Sequence, residues 1–78
     1  MNKEPILLLF GKNVQKYRIS QGLSQEKLAE KLSVSNKTIS KWERGNSTPD
    51  IEMLNKIANI FNISVDELIH EKNNESET

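Results

Sequence analysis

The chain has 78 residues, no cysteine, and as many basic as acidic side chains, with 11 Lys and Arg against 11 Asp and Glu. This length predicts one small domain, and the lack of cysteine excludes disulfides and cysteine-ligated zinc. The apolar run Ile6–Phe10 is too short for a signal peptide or for a membrane span, which needs about 20 apolar residues. We therefore expect a soluble, cytoplasmic protein without membrane attachment.

The balanced total charge conceals a polarity along the chain. Residues 12–44 carry eight Lys or Arg and three Glu, whereas residues 45–78 carry two Lys and seven acidic residues. A basic half of this kind is typical of proteins that bind a polyanion. Solvated helices that drew lysines in one half and glutamates in the other would give the same pattern, so charge alone does not decide the function.

Apolar residues recur with helical spacing along the chain, and no stretch alternates with the period of a strand. Cap residues mark the boundaries of the helices, and they are Ser24, Ser35, Ser64, Gly22, Gly45 and Asn62. Five helices are predicted at about 5–20, 25–32, 36–44, 51–61 and 65–70. We expect a lead-in at 1–5, one domain at 6–71 and a disordered polar tail at 72–78.

The predicted core consists of apolar residues that share the inward faces of these helices. It comprises Phe10, Val14, Leu28, Ala29, Leu32, Val34, Ile39, Leu54, Ala58, Phe61 and Leu68. Only Ser33-Val34-Ser35 separates the second helix from the third. Because two helices joined by so short a turn form a helix-turn-helix, this motif is predicted for residues 25–44.

The third helix has two opposite edges when its residues are spaced about 100° apart. One edge is apolar and holds Ile39 and Trp42, which we assign to the core. The other edge is polar, and its residues are Asn36, Lys37, Ser40, Lys41 and Arg44. Amide, hydroxyl and ammonium groups of this kind hydrogen-bond base edges in the major groove. An ordinary solvated face would look similar, but the short turn and the basic half favour a DNA interface.

Three motifs occur in order along residues 10–70, namely LSQEKLAEKLSVS, ISKWERG and TPDIEMLNKIA. In sequence and spacing they resemble the Cro/lambda-repressor-like helix-turn-helix domains, the XRE family of bacterial and phage regulators. The resemblance implies an all-α, compact five-helix, lambda-repressor-like DNA-binding domain. It also implies a transcriptional regulator, a repressor rather than an activator, that binds an operator in double-stranded DNA as a homodimer. Such a protein is encoded by a bacterium or phage and is associated with the nucleoid when bound.

The resemblance further implies roles for individual positions. The residues that match base-contacting positions are Asn36, Lys37, Ser40 and Lys41. Those that match phosphate-contacting positions are Gln25, Thr38, Arg44 and Asn46, with Gln25 also steadying Asn36. Arg18 and Glu43 match an ion pair that joins the first helix to the third. Ser33 stands where the family commonly has glycine, so we expect it to have a positive φ angle.

Two further interpretations concern partners. A protein-interaction module, such as an antitoxin or an adaptor whose basic face binds an acidic partner, is the alternative to a DNA-binding regulator. Low salt sensitivity and no binding to duplex DNA would favour it, although an antitoxin can also bind DNA. An enzyme is not predicted, because His70 is the only histidine and no nucleophile-and-base arrangement, metal set, cofactor or small-molecule ligand is evident. The apolar residues expected at a dimer contact are first Met53, Ile60 and Ile69, and second Leu8, Leu9 and Ile19.

Overall fold

The computed structural model describes residues 6–70, and these residues form five helices and no strand. The helices are α1 (Ile6–Ser20), α2 (Gln25–Leu32), α3 (Asn36–Glu43), α4 (Ile51–Phe61) and α5 (Val65–Ile69). The predicted all-α, five-helix architecture is confirmed, and the described boundaries lie within one residue of those expected from the sequence. The predicted lead-in at 1–5 and tail at 72–78 lie outside the described residues.

Side-chain caps begin four of the helices. In each case a side-chain oxygen accepts a hydrogen bond from the backbone N–H three residues later, which supplies a partner that the helix itself cannot provide. The capping residues are Ser24, Ser35, Asp50 and Ser64. At α5 the cap is reciprocal, because the Glu67 side chain also accepts from the Ser64 backbone N–H, as in a capping box.

The turn between α2 and α3 begins at a left-handed serine. Ser33 has a φ angle of 59°, so the predicted positive φ is confirmed. This conformation lets the N–H of Ser33 donate to the Glu30 carbonyl and the N–H of Val34 donate to the Ala29 carbonyl. The last carbonyls of α2 thus receive hydrogen bonds from the two residues that follow the helix. Ser35, the next residue, is then free to cap the start of α3.

The core agrees with the predicted set at nine of its eleven positions. Val34 and Leu54 are only half-buried, so their predicted burial is wrong. Val34 lies in the turn between α2 and α3 and Leu54 in the first turn of α4, and both pack against the core only partly. Trp42 is buried as expected, and Ile57, which was not predicted, is fully buried.

Two contacts of α1 position the other helices. Gly11 lies against the end of α3 so closely that a Cβ atom there would stand 2.3 Å from the Trp42 carbonyl oxygen. The buried Asn13 side chain donates from Nδ2 to the carbonyls of Leu68, at 2.8 Å, and His70, at 3.0 Å, and so caps the end of α5. No helix within residues 6–70 is both long enough and apolar enough to cross a membrane.

Candidate nucleic-acid interface

One edge of the third helix packs in the core, and the opposite edge is exposed to solvent. Ile39 and Trp42 are buried, and the Trp42 ring meets the Phe10 ring edge-on with a centroid separation of 6.0 Å. Because this apolar edge is anchored in the core, the opposite edge must face outward. The outer face of α3, as we call it, consists of the exposed Asn36, Lys37, Lys41 and Arg44 and the half-buried Ser40.

The predicted base-contacting residues therefore lie together on one surface. Asn36 and Lys37 occupy the first turn of α3, while Ser40 and Lys41 follow one turn later. Their side chains present amide, hydroxyl and ammonium donors, which match the acceptors on base edges and phosphates. The face contains no carboxylate, so nothing on it repels a polyanion.

The residues predicted to contact phosphate have different local settings. The Thr38 hydroxyl lies 3.0 Å from the Ser35 hydroxyl, at the start of α3. Asn46 is exposed beyond the end of α3, and its backbone N–H donates to the Lys41 carbonyl. The Arg44 guanidinium donates from Nη1 to the Ser40 hydroxyl at 3.0 Å. This hydrogen bond holds the positively charged guanidinium of Arg44 over the outer face, next to Ser40.

A buried ion pair fixes α3 against α1. Arg18 donates from Nε to Glu43 Oε2 at 2.6 Å and from Nη2 to Glu43 Oε1 at 3.1 Å. The two side chains are 11% and 3% exposed, so the pair is shielded from water. Arg18 also donates from Nη1 to the Leu23 carbonyl at 2.7 Å, which ties the turn between α1 and α2 to the same pair. The geometry is bidentate, the arrangement that orients a carboxylate most firmly.

Arg18, Glu43 and the Leu23 carbonyl form a hydrogen-bond network, and its fourth member is Gln25, the first residue of α2. Its Nε2 donates to Glu43 Oε1 at 3.0 Å, and its side chain is half-buried. The sequence suggested a role for Gln25 at the DNA but gave no sign of its contact with Glu43. Spacing within one helix reveals which residues share a face, whereas it does not reveal which side chains of separate helices meet.

The network also decides the charge of the surface. Glu43 is the only acidic residue of α3, and its carboxylate is neutralised by Arg18 and turned inward. The exposed charges of α3 are consequently those of Lys37 and Lys41, with Arg44 directly after them. In the part of the chain that the structure describes, no group of three or more His, Asp or Glu side chains could hold a metal ion.

Comparison with known proteins identifies this arrangement. A family model described as helix-turn-helix matches residues 14–68. Among curated relatives, the HTH-type transcriptional activator BcrR of Enterococcus faecalis is 43% identical over 60 residues, which cover 77% of this chain and 29% of BcrR. The chain thus spans less than a third of that relative's length.

Two solved structures are similar in both fold and sequence. The SOS-response transcriptional repressor LexA from Eubacterium rectale superposes with a TM-score of 0.86 and 27% identity, covering 100% of this chain and 83% of that one. The master regulator for biofilm formation SinR, solved in complex with DNA, gives a TM-score of 0.72 and 32% identity, covering 78% of this chain and 98% of that one.

Proposed function

The chain belongs to the helix-turn-helix family, and from that premise we propose that it is a transcriptional regulator that reads duplex DNA with the outer face of α3. The observation that carries the proposal is the composition of that face. It is held rigidly from behind by Ile39 and Trp42, and it presents amide, hydroxyl, ammonium and guanidinium groups without a carboxylate. An α-helix of this kind fits the major groove, where the pattern of donors and acceptors distinguishes all four base pairs.

Within this function the contacts divide into two sets. We assign base contacts to Asn36, Lys37, Ser40 and Lys41, because these residues lie along the middle of the outer face. We assign phosphate contacts to residues at its margins, namely Gln25, Thr38, Arg44 and Asn46. Phosphate contacts fix the position of the protein on the duplex, whereas base contacts provide the sequence preference.

The proposed assembly is a homodimer on a nearly palindromic operator. Two copies of α3 would then stand about 34 Å apart, one turn of the double helix, and enter successive major grooves on one side of the duplex. Met53, Ile60 and Ile69 are half-buried and pack only partly on the core, so they retain apolar surface for a second copy. The second choice is the surface at Leu8, Leu9 and Ile19, of which Ile19 is 60% exposed. We propose repression as the regulatory outcome, in the cytoplasm of a bacterium or phage host.

The experiment that tests this function is selection of bound sequences from random duplex DNA at two salt concentrations. Lys41→Ala and Arg44→Ala are then measured on the best site and on scrambled DNA. If Lys41 reads a base, its loss should cost about 1–3 kcal/mol more on the best site than on scrambled DNA. Arg44→Ala should weaken binding to both and reduce the salt slope by about one.

A matched control uses a variant that removes a contact without removing charge. Gln25→Ala should weaken binding while leaving the salt slope nearly unchanged. Equal losses for Lys41→Ala on both DNAs would leave Lys41 only an electrostatic role. If the wild-type chain binds no duplex DNA at low salt, the DNA-binding proposal fails, and the alternative of an antitoxin-like or adaptor-like protein-interaction module takes its place.

A further inference from the structure

We propose that Glu43 is a positioning residue that orients the Gln25 side-chain amide toward the DNA backbone. The proposal rests on the DNA-binding function proposed above. It goes beyond a structural role for the Arg18–Glu43 pair, because it makes the buried carboxylate part of the binding machinery. Glu43 itself is almost fully buried and acts through Gln25, whose Nε2 lies 3.0 Å from Glu43 Oε1.

The carboxylate of Glu43 is held in one orientation. Both of its oxygens accept from Arg18, and Arg18 is itself held by the Leu23 carbonyl. A planar guanidinium that grips both oxygens prevents rotation of the carboxylate. With the Glu43 side chain only 3% exposed, water has little access to compete for these bonds. The lone pair of Oε1 that Gln25 uses is therefore fixed in space.

This fixed acceptor determines which end of the Gln25 amide faces inward. An ionised carboxylate only accepts hydrogen bonds, whereas an amide has a donor end with two N–H groups and an acceptor end. The donor end must turn to Glu43, because the amide oxygen would be repelled there. One N–H of Nε2 is used on Glu43 Oε1, and the second is left for another acceptor, since the half-buried Gln25 side chain makes no other hydrogen bond within the described residues.

The second N–H is the group that a DNA phosphate requires. Phosphate oxygens, like carboxylates, only accept hydrogen bonds, so the amide oxygen of Gln25 would oppose binding and the N–H supports it. Without Glu43, the amide could present either end and many side-chain rotamers, and binding would have to order it. Glu43 thus orients the Gln25 amide already in the free protein, so that its second N–H is ready to donate to a phosphate in the DNA complex.

The test is a double-mutant cycle on binding to the selected site. Gln25→Met keeps the length of the side chain but removes its hydrogen bonds, and Glu43→Gln replaces the carboxylate, which only accepts, by an amide that can present either a donor or an acceptor. Loss of a hydrogen bond to a charged group should make Gln25→Met bind about tenfold more weakly in the wild-type background. In the Glu43→Gln background the same change should cost about twofold or less, because the amide is no longer oriented.

The control separates orientation from charge. Glu43→Gln removes one negative charge and so raises affinity for any DNA, and Glu26→Gln removes the same charge from an exposed neighbour of Gln25. In the Glu26→Gln background, Gln25→Met should keep its tenfold cost. If Gln25→Met costs the same in all three backgrounds, or nothing in the wild type, the positioning role is overturned while the DNA-binding function stands. Absence of any wild-type DNA binding overturns both.

A measurement on the wild-type chain does not depend on the folding of any variant. The Gln25 side-chain NH2 group should show restricted motion by NMR relaxation in the free protein, close to that of the backbone. Gln15 on the exposed side of α1 provides an internal comparison and should be mobile. A Gln25 amide as mobile as that of Gln15 would show that no orientation is prepared, and the positioning role would be rejected.

Discussion

Substituting Gly11 tests how closely α1 and α3 must approach. A Cβ atom at this position would lie 2.3 Å from the Trp42 carbonyl oxygen and 3.0 Å from the Glu43 carbonyl oxygen. Both obstructing atoms belong to the backbone, so no side chain can rotate away to make room. We expect Gly11→Ala to force the two helices apart near the end of α3 and to destabilise the protein.

Two opposing effects set the size of the change. Alanine is favoured over glycine in the interior of a helix by about 1 kcal/mol. Forcing an extra carbon into a well-packed contact typically costs 1–3 kcal/mol, and the upper end of about 3 kcal/mol applies here because the contact is far below van der Waals distance. The clash outweighs the helix propensity, and the net loss should be about 2 kcal/mol. In a domain whose total stability is about 5 kcal/mol, this is a large fraction.

Urea denaturation followed by tryptophan fluorescence measures this loss directly. Trp42 is the only tryptophan, and it belongs to the contact under test. With a slope of about 1 kcal/mol per molar urea for a chain of this size, the midpoint should fall by about 2 M. Gln15→Ala, on the exposed side of the same helix, should change it little. A Gly11→Ala protein as stable as the wild type would show that α1 and α3 separate at no cost.

Three further predictions concern buried or strained positions. Asn13→Ala should lower the free energy of unfolding by about 2 kcal/mol in chemical denaturation, because it leaves carbonyls at the end of α5 without their buried donor. Ser33→Gly should raise Tm by about 3–6 °C in calorimetry, since the φ of 59° strains serine and not glycine. A double-mutant cycle on Arg18 and Glu43 should give a coupling energy well above the 0–1 kcal/mol of an exposed pair, and a value near zero would contradict the buried geometry.

The local features of the fold could be predicted because their signals are local. Ser24, Ser35 and Ser64 each cap the helix that follows, and the bond that each one makes spans only three residues. The same holds for Ser33 and Asn62, whose left-handed conformations end helices at the expected positions. The inward edge of α3 followed from its spacing alone, so the composition of the outer face was available from the sequence.

Contacts between distant segments could not be predicted in this way. Asn13 looks like an ordinary polar residue of α1, yet its amide serves carbonyls 55 and 57 residues away. Gly11 likewise gives no local sign that its missing side chain admits the backbone of α3. Both depend on how helices pack, and one sequence without its fold does not specify the partners. The resemblance supplied Arg18 and Glu43 as a pair, but the bond of Gln25 to that pair required the structure.

The charge of the interface likewise depends on a contact between distant segments, which counting residues along one helix does not reveal. Counting residues gives α3 one acid and two lysines, but the acid does not contribute to the exposed surface because Arg18 neutralises it within the protein. A variant lacking Arg18 would leave a buried carboxylate unpaired at the last residue of α3, and relief of that cost would draw Glu43 toward water. Loss of Arg18 should therefore weaken DNA binding by more than the removal of one distant positive charge. The ion pair that holds α1 to α3 also keeps the outer face positive.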